Sequence, residues 1–173
     1  MRVEEKEGAD SGAIIAPLAA AVYPPDVIET IVWKNVTFAQ PARRIIVYDD
    51  DDPVSTAGIL FRTVLLNGVP TLIGGVGSVM TRPSAQRTGF GRAAMLATHE
   101  IIDREPHCSF GLLFCEPNNF EFYRRLGWSL FDGAILAEQP GWNGEYTVTQ
   151  PMVRQVTHPA PIEGIIDLQG LPW

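Results

Sequence analysis

The chain has 173 residues, 46% of them apolar, with 13 Lys and Arg against 20 Asp and Glu for a net charge of −7. That size supports one buried core and calls for no second, so a single domain over residues 1–173 is expected. The negative balance argues against a nucleic-acid partner, and two cysteines with no framework to join fit a reducing cytoplasm.

In chain order, Met1–Asp10 reads as a frayed charged end and Ser11–Ala21 as a first helix. Its apolar stretch, Ala13 to Val22, follows Glu4, Glu5, Lys6 and Glu7, so it has neither the positive flank of a signal peptide nor the length of a membrane span. A second short helix is expected over Pro25–Trp33, and strands over Arg43–Tyr48 and Thr56–Leu66. Asn67-Gly68 is a hairpin signal leading into a strand from Pro70 to Thr81. A helix over Gly89–Arg104, a strand over Ser109–Cys115 and a helix over Asn118–Leu126 follow, then strands over Ser129–Leu136 and Glu145–Val153. This order predicts a mixed α/β sheet flanked by helices.

The most informative stretch joins the strand ending at Thr81 to the next helix through Gln86-x-x-Gly89-x-Gly91. Glycines permit close approach of backbone to a ligand, and the free N–H groups of a helix's first turn face an anion such as a pyrophosphate. Taken alone, the pattern is equally a plain strand-to-helix turn. It lacks the third glycine of a dinucleotide-binding turn, and a nucleoside triphosphate loop needs a lysine, of which there is none after Lys34. Further on, Pro117 stops the apolar strand, Asn118 can cap a helix, and Gly127 can end it. Asn119 and Tyr123 share one face of that helix, while Phe122 and Leu126 share another suited to the core.

These two motifs together resemble the GNAT superfamily of acyl-CoA-dependent N-acetyltransferases. The family's Arg/Gln-x-x-Gly-x-Gly/Ala turn is met by Gln86, Gly89 and Gly91, and its Asn-x-x-x-Tyr-x-x-x-Gly-aromatic helix by Asn119, Tyr123, Gly127 and Trp128. The resemblance covers roughly residues 70 to 130 and implies a mixed, largely antiparallel sheet with splayed central strands. It implies acetyl-CoA as co-substrate: Val79, Met80 and Thr81 pair with the pantetheine arm, the amides of Gln86, Arg87, Thr88, Gly89, Phe90 and Gly91 hold the pyrophosphate, and Asn119 fixes the cofactor near the helix. Tyr123 then protonates the departing thiolate. On its own, Tyr123 reads rather as a half-buried aromatic with its hydroxyl satisfied elsewhere.

Attack on a thioester needs a positioned amine, a base and an oxyanion site. The strand acid of some relatives is absent from Thr71–Thr81, so Glu116, at the end of the following strand, is the candidate base, with a water chain as the alternative. Residues 82 to 125 carry six Arg and five acids, for a net of +1, which leaves −8 elsewhere. A basic cofactor segment and an acidic remainder suit a small cationic amine. The carboxylates of Asp49–Asp52 read as a solvated turn or as a polyamine-binding rim.

A narrower resemblance to the aminoglycoside 2′-N-acetyltransferases rests on the spacing from Gly111 through Tyr123 to Trp128, the glycine-rich stretch Gly141–Gly144, and a tryptophan at position 173. It implies that Asn143 and Trp173, the latter through a terminal carboxylate, meet an aminoglycoside or polyamine, and it leaves antibiotic modification open. Asn143 stands where that group has an acid. A protein or peptide amine, or a non-catalytic acyl-CoA sensor, are the alternatives, and a family tendency to pair sheets leaves a homodimer open. Cys108 and Cys115, on one presumed strand, are expected on opposite faces about 20 Å apart. His99, His107 and His158 lack metal-ligand spacing, so no metal is expected.

Overall fold

The computed structural model describes residues 1–173. In chain order the elements are β1 (Arg2–Glu7), α1 (Gly8–Val22), α2 (Pro25–Thr30), β2 (Arg43–Asp49), β3 (Asp52–Leu66), β4 (Val69–Thr81), α3 (Phe90–Arg104), β5 (Phe110–Cys115), α4 (Phe120–Arg124), β6 (Ser129–Leu130), β7 (Asp132–Gln139), β8 (Trp142–Glu145), β9 (Gln150–Gln155) and β10 (Glu163–Asp167). All ten strands join one sheet in the order β6-β9-β5-β4-β3-β10-β7-β8, with β1 and β2 branching from β3. Long β3 makes the branch possible: Asp52–Ile59 pairs with β2, and Leu65 and Leu66 pair with β10. The ladders are antiparallel except β4–β5 and β7–β10. A parallel β4–β5 pair needs a crossover, and α3 supplies it. No helix is long and apolar enough to cross a membrane.

Side-chain alternation along the strands builds two cores. Ile45, Val47, Val54 and Leu113 join Met95 and Ile102 of α3 on one face. Leu60, Val64, Ile73, Leu112 and Ile166 pack on the other. Helix α3 buries Phe90, Ala94, Met95, Thr98, Ile101 and Ile102, a stripe at three- and four-residue spacing. The Asn67-Gly68 hairpin forms as read, with both residues at positive φ (50° and 81°), as the favoured two-residue turn requires.

Several elements depart from the sequence reading. The charged end is strand β1, paired with β2 from Arg2↔Tyr48 to Glu7↔Arg43. Backbone hydrogen bonding along an otherwise open edge orders it, so its lack of an apolar face does not matter. The expected strand over Ser129–Leu136 breaks at Phe131, because Ser129 and Leu130 pair with β9 while β7 pairs with β8 and β10. The strand expected over Glu145–Val153 breaks likewise at Tyr146–Thr149, where the Tyr146 hydroxyl meets Thr149 Oγ1 at 2.9 Å. Strand β10 was not foreseen, and α2 stops at Thr30, short of Trp33. Both cysteines lie in the same core cluster, because Cys108 precedes β5 and does not share its alternation.

Candidate active site

The site begins where β4 and β5 part. Their pairing spans only Ile73–Val76 against Phe110–Leu113; beyond it β4 continues along β3 and β5 along β9. Within β4 the register slips between Gly58↔Gly77 and Thr56↔Met80, and Ser78 takes φ 51°. Such a bulge bends the strand and leaves residues unpaired, so Val79 has no partner in the β3 ladder. Between the diverging ends lies a cavity of about 440 Å³.

At the far end of β4 the chain turns into α3. Arg87 and Gly89 are left-handed (φ 64° and 99°), the Thr88 hydroxyl donates to Ala85 O at 2.6 Å, and Gln86 Nε2 donates to Thr81 O at 3.3 Å. The first helical bond runs from Ala93 N to Gly89 O at 2.9 Å, so the amides of Phe90, Gly91 and Arg92 have no partner in the helix. Gly91 is needed for closeness: a Cβ there would come within 2.9 Å of Thr81 Oγ1. The helix start therefore sits directly against the strand end. Met80 and Thr81 are held in place by Ser55, whose hydroxyl donates to Met80 O at 2.9 Å and lies 2.8 Å from Thr81 Oγ1.

Val79, Met80, Glu116, Asn119, Tyr123 and Trp173 all line the one cavity, whereas Thr81 and Gln86–Gly91 are not among its lining residues and follow Met80 along the chain, through the end of β4 and the turn. Tyr123 is buried on α4, and burial holds its hydroxyl well above the usual phenol range. It therefore stays protonated. Phe122, expected in the core, is instead half-exposed beside Gly91, because α4 spans only five residues and turns Tyr123 inward. Glu116 directly follows β5 and lines the cavity, and its charge contributes to raising the Tyr23 and Cys115 pKa values. Burial, first, and then Glu116 push the Cys115 thiol up to about 12, so this cysteine is packing rather than a nucleophile.

Trp173 is buried against the sheet, its indole N–H donating to Leu112 O at 3.1 Å. It fits because β4 carries glycine there: a Cβ on Gly75 would lie 2.4 Å from the indole ring. Asn143 is elsewhere. It is exposed on edge strand β8, opposite Glu138, and does not line the cavity, because the glycine-rich stretch forms a β7–β8 hairpin instead of a loop over the site. Asp49–Asp52 also lie outside the cavity, at the β2–β3 turn, where Asp52 pairs with Arg82. Missed in the sequence were Tyr23, Trp33 and Phe38, which reach the cavity from the segment around α2. Their one visible signal is three aromatics in a proline-flanked segment of weak helical pattern.

Residues 15–131, more than half of the chain, fit the model of the acetyltransferase (GNAT) domain. The chain belongs to the GNAT family of acetyltransferases. Solved GNAT-type structures share its fold. A putative N-acetyltransferase from Lactobacillus plantarum superposes with TM-score 0.64 at 18% identity, covering 90% of this chain and 97% of that one. The Escherichia coli GNAT protein YhbS, solved with CoA, gives 0.62 at 12% identity over 96% and 88% of the chains. A Brucella melitensis GNAT acetyltransferase, solved with acetyl-CoA, gives 0.56 at 14% identity over 95% and 94%. The match stands at the level of the GNAT family and not of the aminoglycoside 2′ group.

Proposed function

We propose that this GNAT enzyme transfers the acetyl group of acetyl-CoA directly to the primary amine of a small molecule in the β4–β5 splay. The observation that carries this is the cavity that gathers Tyr123, Glu116 and the free edge of β4 beside the open start of α3. The residues suit the co-substrate. Amides of Gln86–Gly91 accommodate a pyrophosphate, Val79–Thr81 offer strand-like hydrogen bonds to the pantetheine arm, and Asn119 stands at the cavity rim. CoA and acetyl-CoA in the E. coli and B. melitensis proteins support the same assignment.

The reaction follows from the groups present. Glu116, directly or through water, takes the proton that the amine must lose. Nitrogen attacks the thioester carbonyl, unpaired amides at the β4 bulge stabilise the oxyanion, the C–S bond breaks, and Tyr123 gives its proton to the thiolate. Thiol-release kinetics with an amine panel test this. Tyr123→Phe is expected to lower kcat about a hundredfold with little change in the KM for acetyl-CoA, and Glu116→Gln to lower kcat/KM for the amine by a similar factor. Undiminished turnover in Tyr123→Phe would remove its role as donor, and acetyl-CoA binding without CoA release for any amine would favour a sensor.

A further inference from the structure

Resting on the acetyl-transfer reading, we infer that the acceptor subsite is an aromatic box selecting a primary amine on a flat aromatic body, an arylalkylamine, over a polyamine, amino sugar or peptide. One wall is the Tyr23–Trp33–Phe38 series, whose neighbouring rings meet edge to face at 5.1 and 5.8 Å. A second wall is Phe114 and Trp173, with centroids 5.7 Å apart. All five line the same cavity as Tyr123 and Glu116. Edge-to-face sets of this kind present both ring edges and ring faces to a guest ring.

The walls are held rigidly. Trp173 is fixed by its bond to Leu112 O and by the Arg62 guanidinium, 5.2 Å from its ring centroid. Phe114 is backed by Tyr146 at 5.1 Å. On the other side, the backbone closes the turn after α2 through Val36 N to Trp33 O at 2.9 Å.

Charge narrows the choice. Glu116 is the one side-chain carboxylate among the cavity residues, which suits one ammonium group. The several further ammonium groups of a polyamine would be desolvated against aromatic walls, at a cost that disfavours them. Of the neutral polar groups, the Thr149 hydroxyl is already engaged by Tyr146, and Asn118 and Asn119 stand at the start of α4 beside the cofactor positions, which leaves chiefly Ser78 and the Tyr23 hydroxyl. The many hydroxyls of an amino sugar outnumber these partners. A cavity of about 440 Å³ that must also admit the acetyl-thioester end leaves space for a compact amine and not for an extended peptide.

The test is CoA release from acetyl-CoA with phenethylamine and tryptamine against propylamine, spermidine, kanamycin and a hexapeptide with a free amino terminus. The two aryl amines are expected to give kcat/KM at least about tenfold above the others, the factor one buried ring contact supplies. Trp33→Ala should remove that preference through KM, Trp33→Phe should retain most of it, and Trp142→Ala, on exposed β8, should leave it unchanged; if Trp33→Ala does not fold, Phe38→Ala replaces it. Equal or better turnover of spermidine, kanamycin or the peptide would overturn the aromatic box and leave acetyl transfer standing. Release with no amine would overturn acetyl transfer instead. In that case titration of phenethylamine into the CoA-loaded protein, followed by tryptophan fluorescence, decides: saturable binding upholds the box and none overturns it.

Discussion

Burial acts in opposite senses on two residues of the Asn-x-x-x-Tyr neighbourhood, and both outcomes keep a neutral group. Tyr123 is held protonated. His99 is kept neutral, chiefly by burial and then by Arg154, with Asp103 opposing; its pKa falls from 6.5 to about 4. The neutral ring accepts the Trp128 indole N–H at 3.0 Å, which ties the aromatic of the Gly-Trp pair to α3. Because the unfolded chain protonates His99 near pH 6.5 and the folded one near 4, the unfolded state binds more protons between these values. Stability is full above that window and drops as pH falls through it, by on the order of 3 kcal/mol. Urea midpoints from pH 7 to 4.5 should show this fall in the wild type and a shallower one in His99→Gln. Parallel profiles would refute the assignment. Position 99 in the sequence marks only a histidine without metal spacing; its role depends on Trp128, 29 residues away.

At the level of the element, β4 carries the most consequence. Its run Gly74-Gly-Val-Gly77 reads as an apolar strand lacking the acid of some relatives, and it is one. What the run accomplishes is visible only against its neighbours. Gly75 and Gly77 leave a trough for Trp173, and the bulge at Ser78 frees the strand edge. Gly75→Val would set its side chain where the indole lies, with the first atom 2.4 Å from the ring. The expected cost is about 2 kcal/mol, with loss of turnover as the displaced indole enters the cavity. Near-UV circular dichroism and chemical denaturation would register both changes, and an unaltered Trp signal would contradict the packing described. The motif turn from Gln86 to Gly91 was legible because its chemistry is local: left-handed backbone and a bare helix start are written in adjacent residues.

Across the whole molecule, the segment after β10 locks the two halves of the sheet together. Arg62 on β3 donates to Leu171 O at 2.7 Å, Ala39 N to Pro172 O at 2.7 Å, and Trp173 Nε1 to Leu112 O on β5. One aromatic side chain thus spans the place where β4 and β5 separate. Trp173→Ala is expected to cost about 3 kcal/mol, as large aromatic truncations in a core do, and to enlarge the cavity so that amine KM rises. Thermal unfolding and acceptor kinetics measured on the same variant would check both, and a change in neither would mean that the indole is not a structural wall.

The sequence alone determined those features that nearest neighbours along the chain can encode. These are the apolar strands β2 to β5, the Asn67-Gly68 hairpin, the amphipathic α3, and the two motifs that point to an acyl-CoA site. Only the tertiary structure decided what depends on partners distant in sequence. Charged β1 is ordered by β2, β10 exists through pairing with β3 and β7, and Asn143 departs from the site on an edge hairpin. The cavity's aromatic wall is of the same kind: Tyr23, Trp33 and Phe38 precede Phe114 and Trp173 by scores of residues, and no local pattern signals that they meet. Backbone pairing and side-chain packing join groups regardless of their separation along the chain, whereas helical and strand periodicity extend over only a few turns or pleats.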